Sequence, residues 1–102
     1  VKIRGFCVEL DAVSVALEAG DGCARAVALK LDERTLVAFV TPASADIDAC
    51  RHQCEQRLAY YCMPRAIYAM DQLPLTARGK VDKAQLLHWA RQRQDVKEIG
   101  DV

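Results

Sequence analysis

The run Leu73-Pro74-Leu75-Thr76-Ala77-Arg78-Gly79-Lys80-Val81-Asp82-Lys83 places a glycine and then a lysine on a polar loop. Glycine lets a backbone turn sharply or approach a ligand at little steric cost. Lysine adds a compact, mobile positive charge. The pair suits an anion such as a phosphate or a carboxylate. A solvent-exposed turn lysine is the plain alternative, and the loop alone leaves both readings open. A Walker-type phosphate loop is excluded. Pro74 stands where its first glycine is needed, and Val81 follows Lys80 where serine or threonine is required. No Ser-His or Cys-His arrangement that would activate a nucleophile is recognisable. His52 lies among polar helix positions and His88 beside Trp89, so surface or packing roles suit them better than proton transfer.

The elements that must position this loop are legible from periodicity. Residues 2–8 alternate around Gly5, which predicts a short strand with a bend. Leu10, Val13, Ala16 and Leu17 share a helical face, with Gly20 at the expected C-cap and Asp21-Gly22 as a turn. Residues 23–31 and 35–41 are apolar-rich runs joined by Asp32-Glu33-Arg34, which predicts an antiparallel hairpin. Leu36-Val37-Ala38-Phe39-Val40 reads as its central strand, and Pro42 ends it. Ser44 is placed to cap the next helix, with Asp46 in its first turn. Ile47, Cys50, Cys54, Leu58 and Tyr61 form an apolar stripe, and Pro64 closes the element. Residues 66–70 read as a further strand. Asp82 and Gln85 open a final helix as a capping-box variant, anchored by Leu86, Leu87 and Trp89. The order predicts a small α+β domain. Its short, mainly antiparallel sheet, a hairpin plus a strand, is packed by helices, with a separate short N-terminal strand. Residues 1–92 form the domain. Residues 93–102, in a mostly charged stretch, read as a tail or linker toward a following domain.

Composition narrows the function classes. The chain has 102 residues and 52% apolar side chains, enough for one domain with a real core. Fourteen basic and fourteen acidic residues cancel, which argues against a broad nucleic-acid or membrane surface. No apolar stretch approaches the ~18 residues of a membrane span, and no signal peptide is legible. The chain starts without methionine inside a strand-like pattern, as a piece of a larger polypeptide would. The five cysteines, Cys7, Cys23, Cys50, Cys54 and Cys62, are odd in number and irregular in spacing, unlike a secreted disulfide framework. Cys50 and Cys54 fall one helical turn apart and could share a metal ion, but no motif completes a four-ligand set. Buried free thiols in a reducing, cytoplasmic setting fit better.

Three ordered segments carry a resemblance. Val1-Lys2-Ile3-Arg4-Gly5-Phe6-Cys7-Val8-Glu9-Leu10 resembles the strand motif just after the hinge of adenylate-forming enzymes. Leu58-Ala59-Tyr60-Tyr61-Cys62-Met63-Pro64 resembles their Leu-Pro-x-Tyr-Met-x-Pro motif, and residues 73–83 resemble their last core motif, Leu-Pro-x-Thr-x-x-Gly-Lys-Val/Ile-Asp. The resemblance covers essentially the whole chain and is to the small C-terminal subdomain. Val81-Asp82-Lys83 is more similar to nonribosomal peptide synthetases and aminoadipate-reductase-like proteins than to acyl-CoA synthetases.

The resemblance implies a mobile lid on a two-step ligase. An amino or carboxylic acid attacks the α-phosphate of ATP, giving an acyl-adenylate and pyrophosphate. The lid then rotates against a large N-terminal subdomain, and a phosphopantetheine thiol attacks the adenylate to give a thioester. That thiol belongs to a carrier protein domain or, alternatively, to free coenzyme A. ATP and Mg2+ would be bound mainly by the large subdomain, so this chain alone would be inactive. A stand-alone α+β interaction module is the remaining reading. Lys80 matches the lysine that bridges carboxylate and phosphate oxygens, a charge-stabilising role that fits its ammonium; Gly79 would permit close approach. Gly5 matches the glycine brought to the pantetheine tunnel; Arg4 before it is either a cation at the tunnel rim or a solvated strand charge. The family's hinge residue would lie before Val1. Cys7 stands where arginine is common, Ala59 where proline is, Cys62 where methionine is, and Arg78 where asparagine is.

Overall fold

The computed structural model describes residues 1–100, with side chains through Gln92. Strands β1 (Lys2–Ile3) and β2 (Phe6–Cys7) open the chain as a small antiparallel hairpin. The bend expected at Gly5 is therefore a full reversal, with Ile3 paired to Phe6 across Arg4 and Gly5. Helix α1 (Leu10–Glu18) buries Val13, Ala16 and Leu17, the predicted face. Strands β3 (Arg25–Asp32) and β4 (Thr35–Thr41) form the long hairpin. Helix α2 (Ile47–Arg57) and a short 3-10 turn (Tyr60–Cys62) lead to β5 (Ala66–Ala69). Helix α3 (Lys83–Gly100) ends the described chain. It continues past Arg91, where the charge pattern suggests a tail. The linker role of residues 93–102 lies outside the residues with described side chains.

The main sheet has the order β3-β4-β5, with β4 central as expected. It is mixed: β3 pairs antiparallel to β4, whereas β5 pairs parallel to it, from Val37↔Ala66 to Val40↔Ala69. A hairpin turn returns the chain antiparallel, but the helical crossover through α2 returns it parallel. Every residue of β4 is buried, because both sheet faces are covered. On one face Leu36, Ala38 and Val40 join Val13, Leu17, Cys50 and Cys54 from α1 and α2. On the other Val37 and Phe39 join Leu29, Leu31, Leu86 and Ala90, the last two from α3. Ring contacts of Phe39 and Tyr68 with Trp89, at centroid distances of 5.9 and 4.9 Å, hold α3 down.

Two local expectations change. Asp46, rather than Ser44, caps α2: its Oδ1 accepts from the Ala49 N–H at 3.1 Å. A side-chain cap of this kind contributes about 1 kcal/mol. Gly20 is not needed as a C-cap, since Ala19 occupies that position in right-handed geometry. A Cβ on Gly20 would instead lie 2.6 Å from the Cys50 Cα and 2.7 Å from its nitrogen. Gly20 is therefore where α2 presses on the end of α1. Gly20→Ala forces backbone to move, and overpacking of this kind costs about 1–3 kcal/mol. For a domain of this size that corresponds to a melting temperature lower by roughly 5–15 °C, read by thermal denaturation.

Candidate functional site

The Lys80 loop is a tight hairpin stem leading into α3. Leu73 anchors it in the core beside Leu86. Leu75 and Val81 pair as an isolated antiparallel bridge. The Thr76 N–H donates to the Lys80 carbonyl at 2.7 Å, and the Gly79 N–H donates to the Thr76 carbonyl at 2.9 Å. Three residues, Ala77, Arg78 and Gly79, thus form the tip. Gly79 has φ of 83°, the left-handed residue that closes a three-residue hairpin loop. A Cβ at Gly79 would meet nothing within 4 Å in this chain. Its glycine is therefore required by backbone conformation, not by a neighbour.

Beyond the tip, the Asp82 N–H donates to the Pro74 carbonyl at 2.8 Å and its Oδ1 accepts from the Gln85 N–H at 3.1 Å. The capping box is one-sided because the Asp82 amide is already spent on the loop. Lys80 and Arg78 are exposed. Among the described residues the Lys80 ammonium has no ion pair and no hydrogen bond; the ion pairs there are Lys30–Glu33 and Arg51–Asp48. A free cation on a braced, exposed turn is available to an external anion.

Arg4 and Gly5 have φ of 52° and 84°, the signs of a type I′ turn. A non-glycine residue at positive φ is uncommon. Sequence reading missed it at Arg4, because Arg-Gly lacks the Asn-Gly signature that marks such turns. A Cβ at Gly5 would meet nothing within 4 Å, so the surface above this turn is open. Phe6 stacks on Tyr61 at 4.3 Å, and Tyr60 meets both rings edge-on. These contacts fasten the hairpin to the 3-10 turn.

The structure does not bring the two turns together. The Arg4 N–H donates to the Glu33 carbonyl at 2.8 Å, at the β3–β4 turn where β4 begins. The Lys80 loop follows β5 beyond the other end of β4: Met70 N–H donates to the Val40 carbonyl at 3.0 Å, and Leu75 shares a depression with Arg25 and Thr41. The seven residues of β4 span roughly 20 Å at about 3.3 Å each. A groove of about 600 Å³ lies at the base of the Lys80 loop against α3. Leu73, Leu75, Leu86, His88 and Trp89 line it, and Lys80 does not. His52 and His88 are exposed, and His88 meets Gln92 at 3.1 Å.

All five thiols are free, but only Cys50, Cys54 and Cys62 are buried; Cys23 is half-buried and Cys7 exposed on the first hairpin. Burial, with the neighbouring Cys23 thiol second, pushes Cys50 up from 9.0 to about 12. Burial, then Cys62, pushes Cys54 up from 9.0 to about 11. The folded chain therefore holds these protons more tightly than the unfolded one. Their contribution to stability is complete below pH 9.0 and is lost as pH rises toward 12. We expect Cys7 to react first with a thiol reagent at pH 8, and Cys50 and Cys54 only as the chain unfolds. The melting temperature should then fall steadily above pH 9.0. Fast labelling of Cys50 in the folded chain would contradict this.

Among the described residues no three His, Cys, Asp or Glu side chains are grouped to hold a metal ion. No helix among them is long and apolar enough to cross a membrane.

The fold is a small α+β unit with two exposed turns. Residues 9–80 match the AMP-binding enzyme C-terminal domain, and the chain belongs to that family. It is 38% identical over 90 residues to surfactin synthase subunit 1 of Bacillus subtilis (strain 168), covering 84% of this chain and 2% of that protein. It is 43% identical over 93 residues to adenylate-forming reductase 03009 of Coprinopsis cinerea, covering 88% of this chain and 9% of that protein. The solved structure of holo-AB3403, a four-domain nonribosomal peptide synthetase bound to AMP and glycine, superposes with a TM-score of 0.71 at 36% identity, covering 82% of this chain and 7% of that one. The chain is thus a C-terminal domain of nonribosomal peptide synthetase type. It spans less than a tenth of the length of these relatives.

Proposed function

We propose that this chain is the mobile lid of an adenylation enzyme that activates an amino or carboxylic acid with ATP and passes the acyl group to a carrier-protein phosphopantetheine. What carries the reading is the separation of the two turns. Each is exposed and built on a left-handed glycine, and they stand at opposite ends of the β4 strand. A rigid body with such turns cannot offer both to one active site at once. It offers one, rotates, and offers the other.

In the first orientation Lys80 enters the adenylation site of the large subdomain. Its ammonium meets negative charge where carboxylate and phosphate crowd together, and it stabilises that charge as the new bond forms. The carboxylate is already a nucleophile, so no base is required from this chain. In the second orientation the Arg4–Gly5 turn faces the phosphopantetheine. Gly5 leaves width for the narrow arm, and Arg4 supplies a cation at the rim. ATP and its Mg2+ are bound mainly by the large subdomain. Alone, the lid lacks both substrate pockets and is inactive.

The test is a measurement on the full polypeptide that contains this chain. ATP–pyrophosphate exchange should require an amino or carboxylic acid. Thioester should then accumulate on a holo carrier domain in preference to free coenzyme A. Transfer to coenzyme A alone would replace the carrier with the free thiol, and absence of exchange with any acid would end the reading.

A further inference from the structure

We infer that Thr76 is a positioning residue for Lys80. This rests on the adenylation role of Lys80 proposed above. The Lys80 loop is exposed and carries a glycine at its tip, so its geometry rests on hydrogen bonds within the loop. Thr76 meets the tip through four hydrogen bonds. Its backbone N–H and carbonyl hold Lys80 and Gly79 at 2.7 and 2.9 Å. Its Oγ1 accepts from the Arg78 N–H at 3.3 Å and from the Lys80 N–H at 3.4 Å.

The two side-chain bonds are long and share one oxygen, so each is weak alone. Their effect lies in direction. Both the Arg78 and Lys80 backbone amides point inward at one hydroxyl, and this fixes the backbone from which the exposed Lys80 side chain leaves. Valine has the shape of threonine without the oxygen. It would keep the strand-like backbone and leave both amides to water. The tip would then be free to pivot about Gly79, which has no Cβ to restrict its backbone. An ammonium displaced by about 1 Å from developing charge can lose as much as a hundredfold in rate. The loss falls on kcat, since the lysine acts on the transition state.

The experiment compares Thr76→Val, Thr76→Ser and Lys80→Ala in the full-length enzyme. Thr76→Val should lower kcat for ATP–pyrophosphate exchange about tenfold, with KM for ATP and acid moving less than about threefold. Thr76→Ser restores the oxygen and should return kcat to within about threefold of the parent. Thioester formation from supplied acyl-adenylate should stay unchanged in both. A Thr76→Val enzyme at parental kcat, or a serine variant as slow as the valine one, overturns the inference. So does equal loss in both half-reactions, which marks a fold defect. If Lys80→Ala collapses exchange while Thr76→Val does not, only the positioning role fails. If Lys80→Ala leaves exchange intact, the adenylation role fails and this inference falls with it.

Discussion

Lys80→Ala in the full-length enzyme should lower ATP–pyrophosphate exchange by about two to three orders of magnitude, the usual cost of one preorganised charge-stabilising group. Thioester formation from a supplied adenylate should survive nearly intact, because the transfer step proposed above uses the Arg4–Gly5 turn and not the Lys80 loop. Stability should not change. Lys80 is exposed and its ammonium pairs with nothing among the described residues, so truncation strands no buried partner. This separates the residue from an ordinary core lysine, whose loss would lower activity through unfolding. Lys80→Arg should recover only part of the rate, since a planar guanidinium does not replace a compact ammonium between two oxygens. The measurement is exchange and single-turnover transfer on the same preparations, with a thermal melt beside them. Unchanged exchange would remove Lys80 from the mechanism. Equal loss in both half-reactions would assign it to folding.

Gly5→Leu should produce the opposite pattern, with transfer to the carrier falling about tenfold or more while exchange stays within about threefold. Two effects of that substitution must be separated. Any L-residue at φ of 84° bears left-handed strain of about 1–2 kcal/mol. Only a long side chain fills the space above the turn, where a Cβ meets nothing within 4 Å of this chain. Gly5→Ala therefore reports the strain, and the further loss in Gly5→Leu reports the obstruction. If alanine and leucine impair transfer equally, strain in the two-residue turn explains the loss and the tunnel role fails. If neither impairs it, Gly5 is a structural turn and no more.

Much of the fold was legible because each element announces itself locally. The face of α1, the apolar run of β4 and the cap at Asp82 are all written in residues a few positions apart, and all are found. The elements read less well are those where a neighbour distant in sequence decides. The pairing of β5 is parallel because the chain crosses back through α2, a consequence visible in the element order but not in residues 66–69 themselves. Gly20 looks like a helix cap in sequence, yet it is glycine because α2 lies against it. Cys7 shares the composition of a buried thiol but sits on a two-stranded hairpin too small to cover it.

The candidate site divides along the same line. The Gly79–Lys80 pair, its motif and the anion chemistry it suits were all present in consecutive residues, since a turn and its charge are local properties. Thr76 was visible only as a motif letter. Its spacing, with Lys80 four residues on and glycine between, fits a three-residue loop with a left-handed closing residue, but the shared hydroxyl acceptor exists only once the turn has closed. The distance between the Lys80 and Gly5 turns had no local signature at all. Sequence alone determined which residues carry charge and which positions must turn. Tertiary structure decided that the two turns stand at opposite ends of β4, because that separation depends on how strands packed from distant parts of the chain align, and alignment is a property of the whole core.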